Sequence, residues 1–228
     1  MAAGVQTEVA VIGTMHSGHR SSDVYSLAVL EQMIRDLDPN AVLVEIPPAR
    51  LAAAAAQFAA TGEITEPRVR VFPEYTDVLF PLQAELGFEI VACAGWTEEM
   101  NNERRAKMQV LRTERPEEST RINEAQNAAG KAHAELGDPN DPRVIHTVAY
   151  DEIVRTGMTP YDELWNDGIG LGVWTNINIA HWSLLEEAID ARPGQRVVIT
   201  FGSWHKHWFN DRLREREDVR LLVVPMMK

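Results

Sequence analysis

Apolar runs and amphipathic stretches alternate along much of this chain, and their periods predict its elements. Residues 7–13, TEVAVIG, form a short apolar run that reads as a buried strand. After a turn, Val24, Leu27, Leu30, Ile34 and Leu37 recur at spacings of three and four. That spacing puts them on one face of a helix, with Ser22 or Asp23 as its candidate cap. A second strand, AVLVEI over 41–46, is closed by Pro47 and Pro48, and an alanine-rich helix over 49–60 follows. Short links between strand, helix and strand are the grammar of parallel pairing.

Residues 61–75 hold Gly62, Pro67 and Pro73 and read as an irregular crossing. Residues 75–87 look helical despite Pro81, and FEIVACAG over 88–95 is a third strand. From Trp96 the pattern changes. Charge becomes dense and strand-like runs stop, which predicts two helices over 97–114 and 117–136 and a third from 143. This stretch, about 97–157, reads as a helical insertion: a solvated hairpin or a wall over a site. Its histidines, His133 and His146, are expected to be exposed. A helix over 172–190, with Ile177, Ala180, Leu184 and Ala188 on one face, resumes the α/β pattern. A strand (196–202), a helix (206–217) and a last strand (219–225) complete it. The expectation is one α/β domain over 1–228, a mixed central sheet flanked by helices, interrupted by the insertion.

A net charge of -12 speaks against nucleic acid as a partner, since phosphate contacts need a basic surface. It speaks equally against a polybasic membrane anchor. No segment approaches the roughly 20 apolar residues that span a bilayer. The N-terminal residues lack the basic start and apolar stretch of a secretory signal. The single cysteine, Cys93, rules out an internal disulfide and reads as a small core residue. A cytoplasmic protein is therefore expected, with a peptide or small-molecule substrate as partner and assembly into a homo-oligomer left open.

Two stretches carry the candidate chemistry. VIGTMHSGHR (11–20) and VVITFGSWHKHW (197–208) each run from a strand through Gly-x-x-His into a helix. Gly13 and Gly202 mark the turns, and His16 and His205 follow three residues later. Ligands in open sheets gather at the carboxyl ends of strands. Glu45 ends the second strand between Val44 and Ile46, where a carboxylate is costly unless paired or bound to a cation. Two imidazoles and one carboxylate can hold a divalent metal with positions left open. A lone histidine at a strand end is more often structural, and Glu45 has Arg50 as an alternative partner. His19, Asn176, His181 and His207 are candidates for supporting roles around the site. Trp174, Trp182, Trp204 and Trp208 surround the second motif in sequence, as core or as an apolar wall. No HExxH, GxSxG, Walker or paired CxxC motif is present.

The segment from VIGTMHSGHR to VEIPPARL resembles the opening of the TraB/Tiki superfamily, also called GumN-like or PrgY-like. TNINIAHWSLLEEAI followed by VVITFGSWH is similar to that family's closing pair. The likeness covers roughly 8–51 and 172–224; the middle has no counterpart. It implies a metal-dependent hydrolase, peptidase-like or esterase-like, in which metal-activated water attacks a carbonyl. His16, Glu45 and His205 would hold manganese, cobalt or zinc and form the catalytic set, with Glu45 a ligand or a general base. ChaN-like relatives imply the alternative, a haem-binding or small-ligand-binding protein without catalysis. The family's arginine before its asparagine falls at Thr175 here, with Asn176 kept.

Overall fold

A computed structural model describes residues 5–226 of the chain; residues 1–4, which bear on the reading of the N-terminus, lie outside it. Strands β1 (Thr7–Thr14), β2 (Ala41–Val44), β3 (Glu89–Ala92), β4 (Arg196–Gly202) and β5 (Val219–Leu221) form one sheet in the order β3-β2-β4-β1-β5. Every pairing is parallel, so the α/β class is as expected but the sheet is parallel where a mixed one was expected. The reason is the connections: each strand returns through a helical crossover, which delivers the next strand in the same direction. β5 is shorter than the predicted run 219–225, and Val223 beyond it is almost fully exposed.

Alternate residues of the strands feed two cores, as the period of two requires. Ala10, Ile12, Val42, Val44 and Val198 face one core, with α1 (Leu27–Leu37) packed there. Val9, Val11, Leu43, Val197, Ile199 and Phe201 face the other, under α8 (Trp174–Asp190) and α9 (Lys206–Arg214). Burial on both faces explains why the strands read as continuous apolar runs. It also fixes their register and hence which residues reach the sheet edge. Cys93 is fully buried in the second core, and burial pushes its thiol up to about 12.

α2 (Pro48–Thr61) follows β2, and a π-helical turn (Glu74–Leu79) leads into α3 (Phe80–Leu86). The insertion is α4 (Glu98–Glu114), α5 (Pro116–Leu136), the short α6 (Pro142–Ile145) and α7 (Val148–Ile169). α7 continues past the expected boundary near 157, straight through Pro160. Proline removes one backbone bond there. The helix persists because Tyr150, Val154, Met158, Tyr161, Trp165 and Ile169 share a buried face. Side-chain burial outweighs propensity.

The two histidines of the insertion are not exposed, contrary to expectation. His133 is buried, its ring stacked on Tyr150 with centroids 4.0 Å apart. His146 is half-buried and fastens the insertion to the sheet: its Nε2 accepts from the Gly13 N–H at 3.1 Å, and its Nδ1 donates to the Pro142 carbonyl. Burial first, and the Lys206 charge after it, depress its pKa to about 4.

A dependence on pH follows. The folded pKa of His146 lies below the ordinary 6.5, so the unfolded chain takes up its proton first as pH falls. Its stabilising contribution is complete above pH 6.5 and is lost as pH falls toward about 4. Chemical denaturation of the wild type should therefore lose up to about 3 kcal/mol more across that window than His146→Gln does. Identical pH slopes in the two proteins would contradict this role.

Candidate metal centre

β2, β4 and β1 are consecutive neighbours, so their carboxyl ends open onto one edge. The register sets Thr14 beside Gly202 and Val44 beside Thr200. The residues that follow, His16, Glu45 and His205, therefore lie along one edge, although the group whose ligand atoms all fall within 4.8 Å of one another is Glu45, His181 and His205, without His16. Two buried links lock the edge. The Tyr75 hydroxyl accepts from the Glu45 N–H and donates to the Thr200 carbonyl, both at 2.9 Å, tying β2 to β4. The Tyr25 hydroxyl donates to the Gly13 carbonyl at 3.0 Å.

Glu45 stands between the two histidines. Its Oε2 lies 3.8 Å from His16 Nε2, and its Oε1 lies 4.0 Å from His205 Nε2. Oε2 also accepts from the Gly202 N–H at 2.9 Å. Glycine is required at 202 by close approach, since a Cβ there would come within 2.8 Å of His16 Nε2. His16 itself sits at φ 51, a left-handed backbone that disfavours residues with a Cβ. Such outliers cluster where a side chain must be aimed.

The far nitrogen of each ring is held by a partner that fixes its tautomer. His16 Nδ1 donates to Glu74 Oε1 at 2.6 Å, and Thr14 donates to the same oxygen at 3.1 Å. Asn178 Nδ2 donates to the Trp174 carbonyl, which turns its Oδ1 toward His205 Nδ1 at 2.7 Å. His205 must then donate through Nδ1. In their neutral forms both rings present an Nε2 lone pair on the side of Glu45. This support of imidazole ligands by carboxylate or carbonyl is what metal sites use.

His181 has the opposite polarity. One of its nitrogens lies within 4.8 Å of ligand atoms of Glu45 and His205, so position alone would make it a ligand. However, its Nδ1 accepts from the Gly95 N–H at 3.0 Å. The neutral ring then carries its proton on Nε2 and has no free lone pair. His181 is a donor at the cleft unless that bond is given up.

The electrostatics are those of excess buried negative charge. Burial raises the Glu45 carboxyl above its ordinary range, against the pull of His16 and the Gly202 N–H. Burial would depress His16, but the hydrogen bond to Glu74 and the charges of Glu45 and Glu74 carry it above its usual value. His205 is driven well below its usual value by burial and by neighbouring histidines. Glu74 is fully buried, and its Oε2 has no hydrogen-bond partner among the described residues. The Glu45 carboxylate, with the Nε2 atoms of His16 and His205 at 3.8 and 4.0 Å, is a donor set that suits a divalent cation. Phe72 meets the His16 ring edge-on at 4.8 Å, and Trp174 stacks on His205 at 4.5 Å.

The remaining candidates go elsewhere. His19 spends both ring nitrogens on the backbone, at Met15 N–H and the Tyr25 carbonyl, and staples the turn after β1. Asn176 donates to the Gly170 carbonyl and does not support His205. His207 is buried and does not line the cleft. Arg50 pairs with Glu66 and Glu98, each at 3.6 Å, rather than with Glu45. Of the tryptophans, Trp174 is a wall of the site, whereas Trp182 and Trp208 pack together in the second core. Sequence reasoning missed Glu74, Tyr75 and Asn178. Asn178 carried a signal: with His181 it puts two polar residues three apart on the buried side of an otherwise apolar helix.

Comparison with protein-family models, with curated proteins and with solved structures returned no match to this chain. The TraB/Tiki likeness therefore rests on its sequence motifs alone.

Asn178 and Asn176 can be told apart. Asn178→Ala should lower affinity for Mn²⁺ or Co²⁺ by roughly 10–100-fold, the usual cost of losing the partner of a ligand histidine. Asn176→Ala should leave it unchanged. Calorimetric titration of both variants checks this, and a larger loss in Asn176→Ala would reverse the assignment.

Proposed function

We propose that this protein is a metal-dependent hydrolase of the TraB/Tiki type, acting on a carbonyl-centred bond. The observation that carries the reading is the Glu45 carboxylate lying between two imidazole Nε2 atoms whose tautomers Glu74 and Asn178 fix. His16, Glu45 and His205 would hold the ion. A divalent ion in such a set lowers the pKa of a bound water and polarises a carbonyl oxygen. The chain's own residues do the rest. Glu74 and Asn178 keep the two rings turned to the ion's position. Phe72 and Trp174 keep bulk water from the flanks of the rings, which strengthens every charge interaction inside. His181 keeps its Nε2 proton and offers it as a hydrogen bond to oxygen as negative charge grows there. Burial holds His181 near pKa 4, so it stays neutral and keeps this donor at working pH.

Glu45 takes the ligand role in this reading, because both of its oxygens face imidazole nitrogens. Glu45→Gln should then lose most of its metal and at least about 10² in turnover. Metal stoichiometry by mass spectrometry, beside hydrolysis of a peptide and ester panel, reads both quantities. Full metal occupancy with abolished turnover would make Glu45 the general base instead. A Soret band on adding haem, with no metal-dependent turnover of the wild type, would replace the hydrolase by a binding protein.

A further inference from the structure

The cleft beside the metal set, about 200 Å³, is lined by two arginines, Arg68 and Arg104. Among the described residues neither arginine makes an ion pair at contact distance, although the Arg68 charge acts on the Glu45 carboxyl, while Arg50 nearby pairs with two carboxylates. Arg104 is held in place by other means. Its Nε donates to the Tyr161 hydroxyl at 3.0 Å, and that hydroxyl donates to the Gly172 carbonyl at 3.2 Å. Its guanidinium lies 5.7 Å from the centre of the Tyr161 ring. Its stem occupies the space a side chain at 172 would need, for a Cβ there would come within 2.7 Å of Arg104 Cβ. This anchoring uses Nε and leaves both terminal nitrogens without a hydrogen bond to the described residues. Arg68 lines this cleft and also the adjoining apolar one of about 650 Å³.

We propose that Arg104 and Arg68 form a clamp for a carboxylate of the substrate, which makes this a hydrolase of carboxylate-bearing amides or esters. A guanidinium with two free terminal nitrogens matches a planar carboxylate with two parallel hydrogen bonds. A phosphoryl dianion offers the same oxygens but meets twice the repulsion from Glu45, which lines the same cleft. The adjoining cleft, walled by Pro47, Ala94, Trp96 and Leu184, takes an apolar group of the same substrate. The insertion thereby gains a role in recognition, because α4 brings Arg104 to a site whose other parts come from the sheet.

The clamp rests on the hydrolase reading for the word substrate, but it is testable without turnover. The probe is an N-acetylated apolar dipeptide, titrated calorimetrically into metal-stripped protein as its free C-terminal acid and as its amide. The acid should bind at least about tenfold more tightly, a preference that salt weakens. Arg104→Lys, which keeps charge but loses the fork, should remove most of that preference, as should Arg68→Gln. Inorganic phosphate should compete weakly. Equal binding of acid and amide by the wild type, or no binding of the acid, would overturn the clamp, and neither result depends on a variant folding. In the metal-loaded enzyme, Arg104→Lys should raise KM for the acid substrate with little change in kcat. An equal fall in kcat for acid and amide would make Arg104 a stabiliser of the transition state and end the proposal. Acid preference in a protein that binds no metal would retain the clamp and sink the hydrolase reading.

Discussion

A carboxylate taken out of water must be compensated, and Glu45 imposes that requirement on everything around it. It sits at the end of the central strand pair, where the sheet is buried on both faces. The Gly202 N–H meets part of the cost, and the two imidazoles lie at 3.8 and 4.0 Å, too far to hydrogen-bond it directly. In their neutral forms both rings turn an Nε2 lone pair toward this carboxylate, and the proposed cation would sit between them. The left-handed backbone at His16 and the bare Cα of Gly202 both serve that spacing.

The fold was legible because its strands are buried on both faces and its helices on one. Continuous apolar runs at 7–13, 41–46 and 196–202 had no alternative home, and the order of strands and helices gave the α/β class, whereas the all-parallel pairing was not read and a mixed sheet was expected. The placement of His16, Glu45 and His205 along one sheet edge was legible for the same reason, as polar residues at the ends of apolar strands. What escaped was whatever depends on packing between distant segments. Glu74 lies in the irregular crossing before α3, a stretch with no period to read, and reaches His16 over 58 residues. Asn176 and Asn178 look equivalent in TNINIA, and only the turn of α8 decides which one meets His205. His133 and His146 look like surface residues of a charged insertion until α7 packs Tyr150 on the first and β1 takes up the second.

The insertion is more than a solvated hairpin. His146 ties it to the start of the site at Gly13, and Arg104 carries it to the cleft. The α/β scaffold supplies a charge-bearing edge, and a helix of the insertion adds Arg104 to the cleft beside it. Thr175, where the family's arginine would stand, is bonded to Asp162 on α7, so positive charge reaches this cleft from other elements.

The most direct test of a cation between Glu45 and its two histidines is a crystal structure of the protein soaked in Mn²⁺, with the ion located by anomalous scattering. One strong peak is expected within coordination distance, about 2.0–2.3 Å, of His16 Nε2, His205 Nε2 and Glu45, with His181 still accepting from Gly95. A peak held by His181 in place of His16, or no peak at a saturating concentration of the ion, would contradict it.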